Sequence, residues 1–359
     1  MQKVKRKIYK FLPLIKPIIG LALLILLVLA LRFLFPYLKN FIDKTFKAPR
    51  LAYSFLTADT SSLESWENRV NLLILGASGG DHSGRDLTDT MIFVSIDKTT
   101  ADIVMLSIPR DIWLDSLQAK INSAYHYGEE KKAGGGFILA KDAVYEVFNQ
   151  PIHYSLLLDF AGFAKIINLL GGIDIKVDRS FDDLKYPIAG KENDECNGDR
   201  EYKCRYEQVH FDKGVQHMDG ETTLMFVRSR NAEGEEGTDF ARSLRQQKVI
   251  LAIKDKIFNL KFLLNPKKIL EVKQALGDNF KLDRQLTEEQ TTAFLSLFLR
   301  FVKNKNTIRT ISLDTGNDEN LGFLYSPDSK EYGQWVLIPR DKTWQEIHRY
   351  IKDKIEKRY

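Results

Sequence analysis

Three stretches of this 359-residue chain carry side chains whose types and spacing could do chemistry. The first is GASGGDHSGRDLTDT, residues 76–90, where Gly76, Gly79, Gly80 and Gly84 interleave with Asp81, Asp86 and Asp89. Glycines let backbone N–H groups come close to a phosphate. Carboxylates on a loop suit magnesium, which takes one or two of them and fills its shell with water and phosphate oxygens. The spacing fits neither a P-loop nor a dinucleotide fingerprint, so taken alone the stretch also reads as a solvated turn. The second stretch is Ile108-Pro109-Arg110-Asp111. Arginine offers phosphate a planar fork of donors, although an Arg–Asp pair beside proline is equally at home as a structural salt bridge.

The third stretch says most. FVRSR, residues 226–230, sets Arg228 and Arg230 two apart, on one side of the chain if the backbone is extended. Asp239, Arg242 and Gln246 follow at i, i+3 and i+7, which is one face of a helix. Arg245 stands beside them, and Leu244, Val249, Leu251 and Ile253 supply an apolar face that can be buried. Crowded arginines usually mean a solvated surface. Crowded arginines in a chain that also holds a glycine–aspartate loop point to an anion with several charges. The histidines at 82, 126, 153, 210 and 217 are scattered, without zinc spacing. Ser83 has no visible base to make it a nucleophile.

These residues need elements to hold them. VNLLILG (70–76) is a continuous apolar run ending in glycine, the pattern of a buried strand. TMIFVSID (90–97) and DIVMLSIP (102–109) are two more strands across a short polar turn. Residues 136–150 have helical spacing, HYSLLLDF (153–160) reads as a strand, AGFAKIINLLGG (161–172) as a helix stopped by glycines, and IDIKV (173–177) as a strand. Residues 180–217 look polar and irregular. Asp219 is placed to cap a helix over 220–226, and 238–258 is a long amphipathic helix. Helices follow in 265–304, strands at 307–314 and 334–340, and a last helix near the end. Strands and helices interleave, so the expected class is α/β, a mixed β-sheet flanked by helices, in one large domain over 69–359.

That domain is preceded by one transmembrane helix. Six basic residues and no acid fill positions 1–16, and residues 17–38 form an apolar run with Arg32 as its only charge. A bilayer core needs roughly 20 such residues, and a cleaved signal would be shorter with small residues at its end. The basic flank places the N-terminus in the cytoplasm and the rest outside, beyond a polar stalk at 39–68. The 53 basic side chains less those six leave 47 against 48 acidic ones, so the body has no global positive field and nucleic acid is disfavoured. Cys196 and Cys204, outside the cell in a polar segment, suit a local disulfide.

Read together, NLLILG, TDTMIFVSID, MLSIPRD, KINSAY, LDFAGFAKIINLLGGIDIKV, MDGETTLMFVRSR and DFARSLRQQ resemble the LytR–CpsA–Psr family of cell-envelope proteins over roughly residues 70–260. The resemblance implies a membrane-anchored phosphotransferase. It would move a glycopolymer from an undecaprenyl-pyrophosphate carrier in the membrane lipid onto peptidoglycan, with magnesium (or manganese) bound. By motif, Asp89 matches the metal-binding aspartate, Arg110, Arg228, Arg230, Arg242 and Gln246 the pyrophosphate-binding set, and Asp239 the acidic residue of the last motif. Ser78 stands where the family commonly has a further aspartate, and the tight Arg-Ser-Asp-Thr is stretched to Arg85-Asp86-Leu87-Thr88-Asp89-Thr90. Asp86, ahead of Asp81, is the expected replacement ligand. Two other functions compete: a hydrolase, which would use the same residues with water as acceptor, and a non-enzymatic envelope regulator or transcriptional attenuator, which the Ser78 departure favours and which would not need Arg228 or Arg242.

Overall fold

The computed structural model describes residues 59–80, 84–188, 190–191, 193–229, 231–237, 277–304, 308–313, 315–316 and 321–356, with isolated positions between 241 and 256. The basic tail, the apolar run and the stalk up to residue 58 lie outside the described residues. Among those described, no helix is long and apolar enough to cross a membrane.

Along the chain come strands β1 (Arg69–Ala77), β2 (Thr90–Asp97) and β3 (Ile103–Ile108), then the two-residue strands β4 (Trp113–Leu114) and β5 (Ala119–Lys120). Helices α1 (Ala124–Lys131) and α2 (Gly135–Phe148) lead to β6 (Tyr154–Asp159), α3 (Phe160–Leu169) and β7 (Ile173–Val177). Next are β8 (Phe181–Pro187), β9 (Tyr206–Phe211), β10 (Gly214–Met218) and α4 (Gly220–Arg228). Strand β11 (Phe280–Leu282), helix α5 (Glu288–Lys303) and strand β12 (Ile308–Ser312) follow. Short β13 (Leu324–Tyr325), α6 (Ser329–Tyr332) and β14 (Ile338–Pro339) precede the terminal α7 (Gln345–Glu356). The chain divides into two compact units, one over 160–276 and the other containing 84–159 and 277–359.

The sheet unit is built on six strands in the order β11-β6-β1-β2-β3-β12. β6 runs parallel to β1 and β12 parallel to β3, while β1–β2, β2–β3 and β6–β11 are antiparallel, so the sheet is mixed. The apolar runs explain why the central strands are buried on both faces. Leu73, Leu75, Met91, Phe93, Val104 and Leu106 join one core with α2 and with Ile347, Ile351 and Ile355 of α7. Tyr154, in register with Leu72, meets Phe294 of α5 edge-on at 5.1 Å, so α5 covers the other face. Leu63, in the segment expected to be stalk, is also buried.

The second unit corrects the expectation of an irregular 180–217. β8 pairs with β9, and β10 with β7, all antiparallel. The pattern was hidden because β8 turns only Phe181, Asp183 and Tyr186 inward, and a bulge breaks its register between Asp183 and Tyr186. Phe181, Phe211 and Phe226 pack with ring centroids 5.1 to 6.1 Å apart as the small core behind it. Gly220 lets α4 touch α3: a Cβ there would sit 2.1 Å from the Ala164 carbonyl oxygen. Asp219 caps α4, accepting the Thr222 N–H at 2.8 Å. Cys196 and Cys204 are bridged.

Candidate functional site

In the sheet unit, strand register brings two of the predicted residues together. Met91 of β2 lies opposite Ile108 of β3, so Asp89 and Arg110, each two residues further out, emerge side by side at the same end of the sheet. Arg110 Nη1 donates to Asp89 Oδ1 at 2.8 Å. The β4–β5 turn then folds the chain back, and Asn122 Nδ2 donates to the same oxygen at 3.2 Å. The Asn122 carbonyl accepts the Thr88 N–H at 3.0 Å and the Thr88 hydroxyl at 3.1 Å, which ties the residue before Asp89 to the KINSAY segment.

The charges continue in alternation. Asp111 accepts from Arg110 Nε at 3.4 Å and from Lys120 Nζ at 2.7 Å. Burial would lower the Arg110 pKa, but Asp89 and Asp111 outweigh it and raise it above its ordinary value. Asp89 and Arg110 stay 44% and 39% exposed, so solvent and ligand reach both. Among the described residues, Asp89 Oδ2 and Arg110 Nη2 make no hydrogen bond. One oxygen is thus open to a cation and one donor edge to an anion. Lys120 was not expected as a member of this group. Its position in KINSAY is the only signal in the sequence, and that signal has meaning only once the β4–β5 turn is known.

The rearranged glycine loop closes on itself. Gly79 donates its N–H to the Arg85 carbonyl at 3.0 Å, and Ser78 Oγ reaches the Gly84 carbonyl at 3.4 Å. Gly79 has φ +69°, and a Cβ there would lie 2.9 Å from that of Asp159, so only glycine suits the position. Asp86 pairs with Arg85 Nε at 3.4 Å and makes no hydrogen bond or ion pair with Asp89 or Arg110. Its charge reaches Tyr125: burial first, then Glu129 and Asp86, hold that phenol far above its ordinary pKa. Asp81, His82 and Ser83 lie outside the described residues.

In the other unit Arg228 is the last residue of α4, not part of an extended pair, and Ser229 behind it leaves helical geometry with ψ 124°. Its guanidinium carbon lies 4.7 Å above the Phe160 ring and 5.6 Å from that of Tyr186, and Nη1 donates to the Tyr186 hydroxyl at 3.3 Å. No carboxylate pairs with it among the described residues. Burial raises the Tyr186 pKa, against the pull of Arg228. Arg245, by contrast, is 2% exposed. It donates to the carbonyls of Phe226 at 2.9 Å and Glu236 at 2.8 Å, to that of Ser229, and to Glu236 Oε2 at 3.0 Å. Every side of it is committed to the fold. Arg230, Asp239, Arg242 and Gln246 lie outside the described residues.

Two further features stand apart from these residues. A cavity of about 300 Å³ is lined by Arg179, Ser180, Phe181, Asp182, Glu233 and Glu236, none of them a predicted site residue. The three-residue cluster of potential metal ligands among the described residues is Asp194, Cys196 and Cys204, whose sulfurs are consumed by the disulfide.

Fold and motifs agree with one family. The chain belongs to the LytR_cpsA_psr family, whose profile matches residues 47–340. The polyisoprenyl-teichoic acid–peptidoglycan teichoic acid transferase TagU of Oceanobacillus iheyensis is 27% identical over 297 residues, 82% of this chain and 78% of that protein. Its counterpart TagV of Bacillus subtilis is 28% identical over 276 residues, 74% of this chain and 61% of its own length. The crystal structure of protein gbs0355 from Streptococcus agalactiae has the same fold, with a TM-score of 0.55 at 22% identity over 81% of this chain and 89% of that one.

Proposed function

We propose that this chain is a phosphotransferase that moves a glycopolymer from a polyprenyl-pyrophosphate carrier onto peptidoglycan during cell-wall assembly. Family membership and the names of its relatives support the reaction class. The observation within the molecule that carries it is the Asp89–Arg110 contact at 2.8 Å, a carboxylate and an arginine each with one side left open.

The acceptor is a sugar hydroxyl of the wall. Its oxygen attacks the sugar-proximal phosphorus and its proton leaves to a base. The bond from that phosphorus to the bridging oxygen breaks, a phosphodiester forms, and polyprenyl monophosphate departs. Such transfer depends mainly on positioning and on offsetting charge over the phosphoryl oxygens. Arg110 Nη2 is the proposed donor from the sheet unit, and the family's motifs assign Arg228, Arg230, Arg242 and Gln246 the same proposed role. Asp111 is a poor choice of base, because both its oxygens are already bonded to cations. Asp239 remains the proposed acidic partner.

Magnesium suits the donors present. Asp89 Oδ2 is open, and a cation that keeps several waters needs only one or two carboxylates, with Asp86 as the proposed second. Bound there, it would offset negative charge on the pyrophosphate. The apolar run at 17–38 would hold the protein in the plane of its lipid carrier as a single-pass anchor, N-terminus in the cytoplasm, and raise the encounter rate between them.

The test is the full chain in lipid nanodiscs given a lipid-linked glycan, with and without peptidoglycan fragments. Glycan joined to the fragments, and lost in Arg110→Ala, is the expected product. Free phosphorylated glycan at the same rate with or without fragments would make the protein a hydrolase instead.

A further inference from the structure

We propose that Tyr186, together with Phe160, is a positioning residue for Arg228: the two rings and the phenolic oxygen hold the guanidinium in place before an anion arrives. The inference rests on the reading above, in which Arg228 meets a pyrophosphate. It adds Tyr186, which no motif in the sequence marks, and gives a task to Phe160 of the LDFAGFAK stretch.

Long arginine side chains lose about 2 kcal/mol of rotamer entropy when fixed. A donor already fixed in the free protein does not lose it on binding. Two layers of fixation converge on Arg228. The backbone layer is polar and buried. Ser229 donates its hydroxyl to Asp183 Oδ2 at 2.6 Å, Asn231 its N–H to the same oxygen at 3.2 Å, and Arg245 grips the carbonyls of Phe226 and Ser229. Asp183 and Ser229 are fully buried, so this turn cannot drift.

The side-chain layer is aromatic. Phe160 opens α3 and packs beneath the guanidinium at 4.7 Å, within cation–π range. Tyr186, 5% exposed at the end of β8, accepts from Nη1. Rings and a neutral hydroxyl orient the cation without spending its charge. A carboxylate in the same place would cancel the attraction on which phosphate binding depends. Nε and Nη2 make no hydrogen bond among the described residues and are the edge turned to the ligand.

The experiment titrates the full chain in nanodiscs with farnesyl pyrophosphate and magnesium, and records the melting temperature of every variant. Tyr186→Phe keeps the ring and loses the acceptor, and should weaken binding about 3- to 10-fold. Tyr186→Leu loses both and should weaken it about 30-fold. Phe160→Leu serves as the second ring variant should Tyr186→Leu melt early. The decisive measurement is the double variant. In an Arg228→Ala background, Tyr186→Phe should change affinity no further, because nothing is left to position. An equal loss from Tyr186→Phe in both backgrounds, or none in the wild type, overturns the positioning role alone. If Arg228→Ala by itself leaves affinity unchanged, Arg228 is not an anion donor, and the reading beneath fails with it.

Discussion

Arg110 and Arg228 are held by opposite means. Arg110 sits in a chain of alternating charges, Asp89, Arg110, Asp111 and Lys120, at the open end of the sheet. Arg228 sits among rings, with a phenol as its hydrogen-bond partner and no acidic partner among the described residues. The first arrangement keeps a carboxylate oxygen beside an arginine, which suits a cation and an anion bound together. The second leaves a full positive charge available, which suits an anion alone. A short distance away in sequence, Arg245 shows the third condition, an arginine whose donors are used up by carbonyls and Glu236. Residue type therefore does not separate function from structure among these three; their partners do.

The comparison can be broken in four ways. The largest effect should come from Arg245→Met. It leaves Glu236 without its cation and three carbonyls without a donor, and should cost about 3–5 kcal/mol of stability, read as a fall in melting temperature. A loss of activity without a loss of stability would place Arg245 in the site instead. Next is Arg228→Ala, expected to lower the transfer rate on the order of 100-fold with melting unchanged, because it removes a donor aimed at developing charge. Should stability fall as far as for Arg245→Met, the contrast between the two arginines is lost.

Asp89→Asn should cost less than about 1 kcal/mol of stability, since the ion pair it breaks is exposed. It should nevertheless weaken the response of activity to added magnesium, measured as the metal concentration for half-maximal rate. The smallest effect is at the other end of the sheet from Arg110. Burial holds the His153 pKa below its ordinary value, and its Nδ1 accepts the Asn71 N–H at 2.9 Å. The unfolded chain takes up this proton as pH falls below about 6.5 while the native state resists, so stability is lost from there down to the native pKa. His153→Gln should flatten that part of the melting-temperature profile; an unchanged slope would remove His153 as its cause.

Much of this was legible beforehand, for local reasons. Val70 to Gly76, Thr90 to Asp97 and Ile103 to Ile108 are apolar on both faces and could be little else than central strands. Asp219 is a capping residue in a capping position. The strands of 180–217 were missed because only one face of β8 is buried, its inward set includes Asp183, and the bulge shifts the alternation. The extended backbone that would put Arg228 and Arg230 on one side is not what Arg228 has: it ends α4, and an Arg-Ser-Arg triplet has no periodicity to show that a helix ends inside it. Tyr186 carries no signal of its own, and Phe160 and Lys120 stand inside matched motifs with nothing local to give either a role.

The amino-acid sequence alone determined the family, the α/β class with its mixed sheet, and the disulfide pair. Each follows from residue types read over a short span, where propensity, apolar pattern and motif spacing act. Only the tertiary structure decided which arginine meets which partner. Asp89 reaches Arg110 because β2 and β3 run antiparallel in one register, and Arg228 reaches Tyr186 across 42 residues of chain. Whether an arginine's charge is shared, cancelled or left available is a property of its neighbours in space, and the fold brings those neighbours from distant positions.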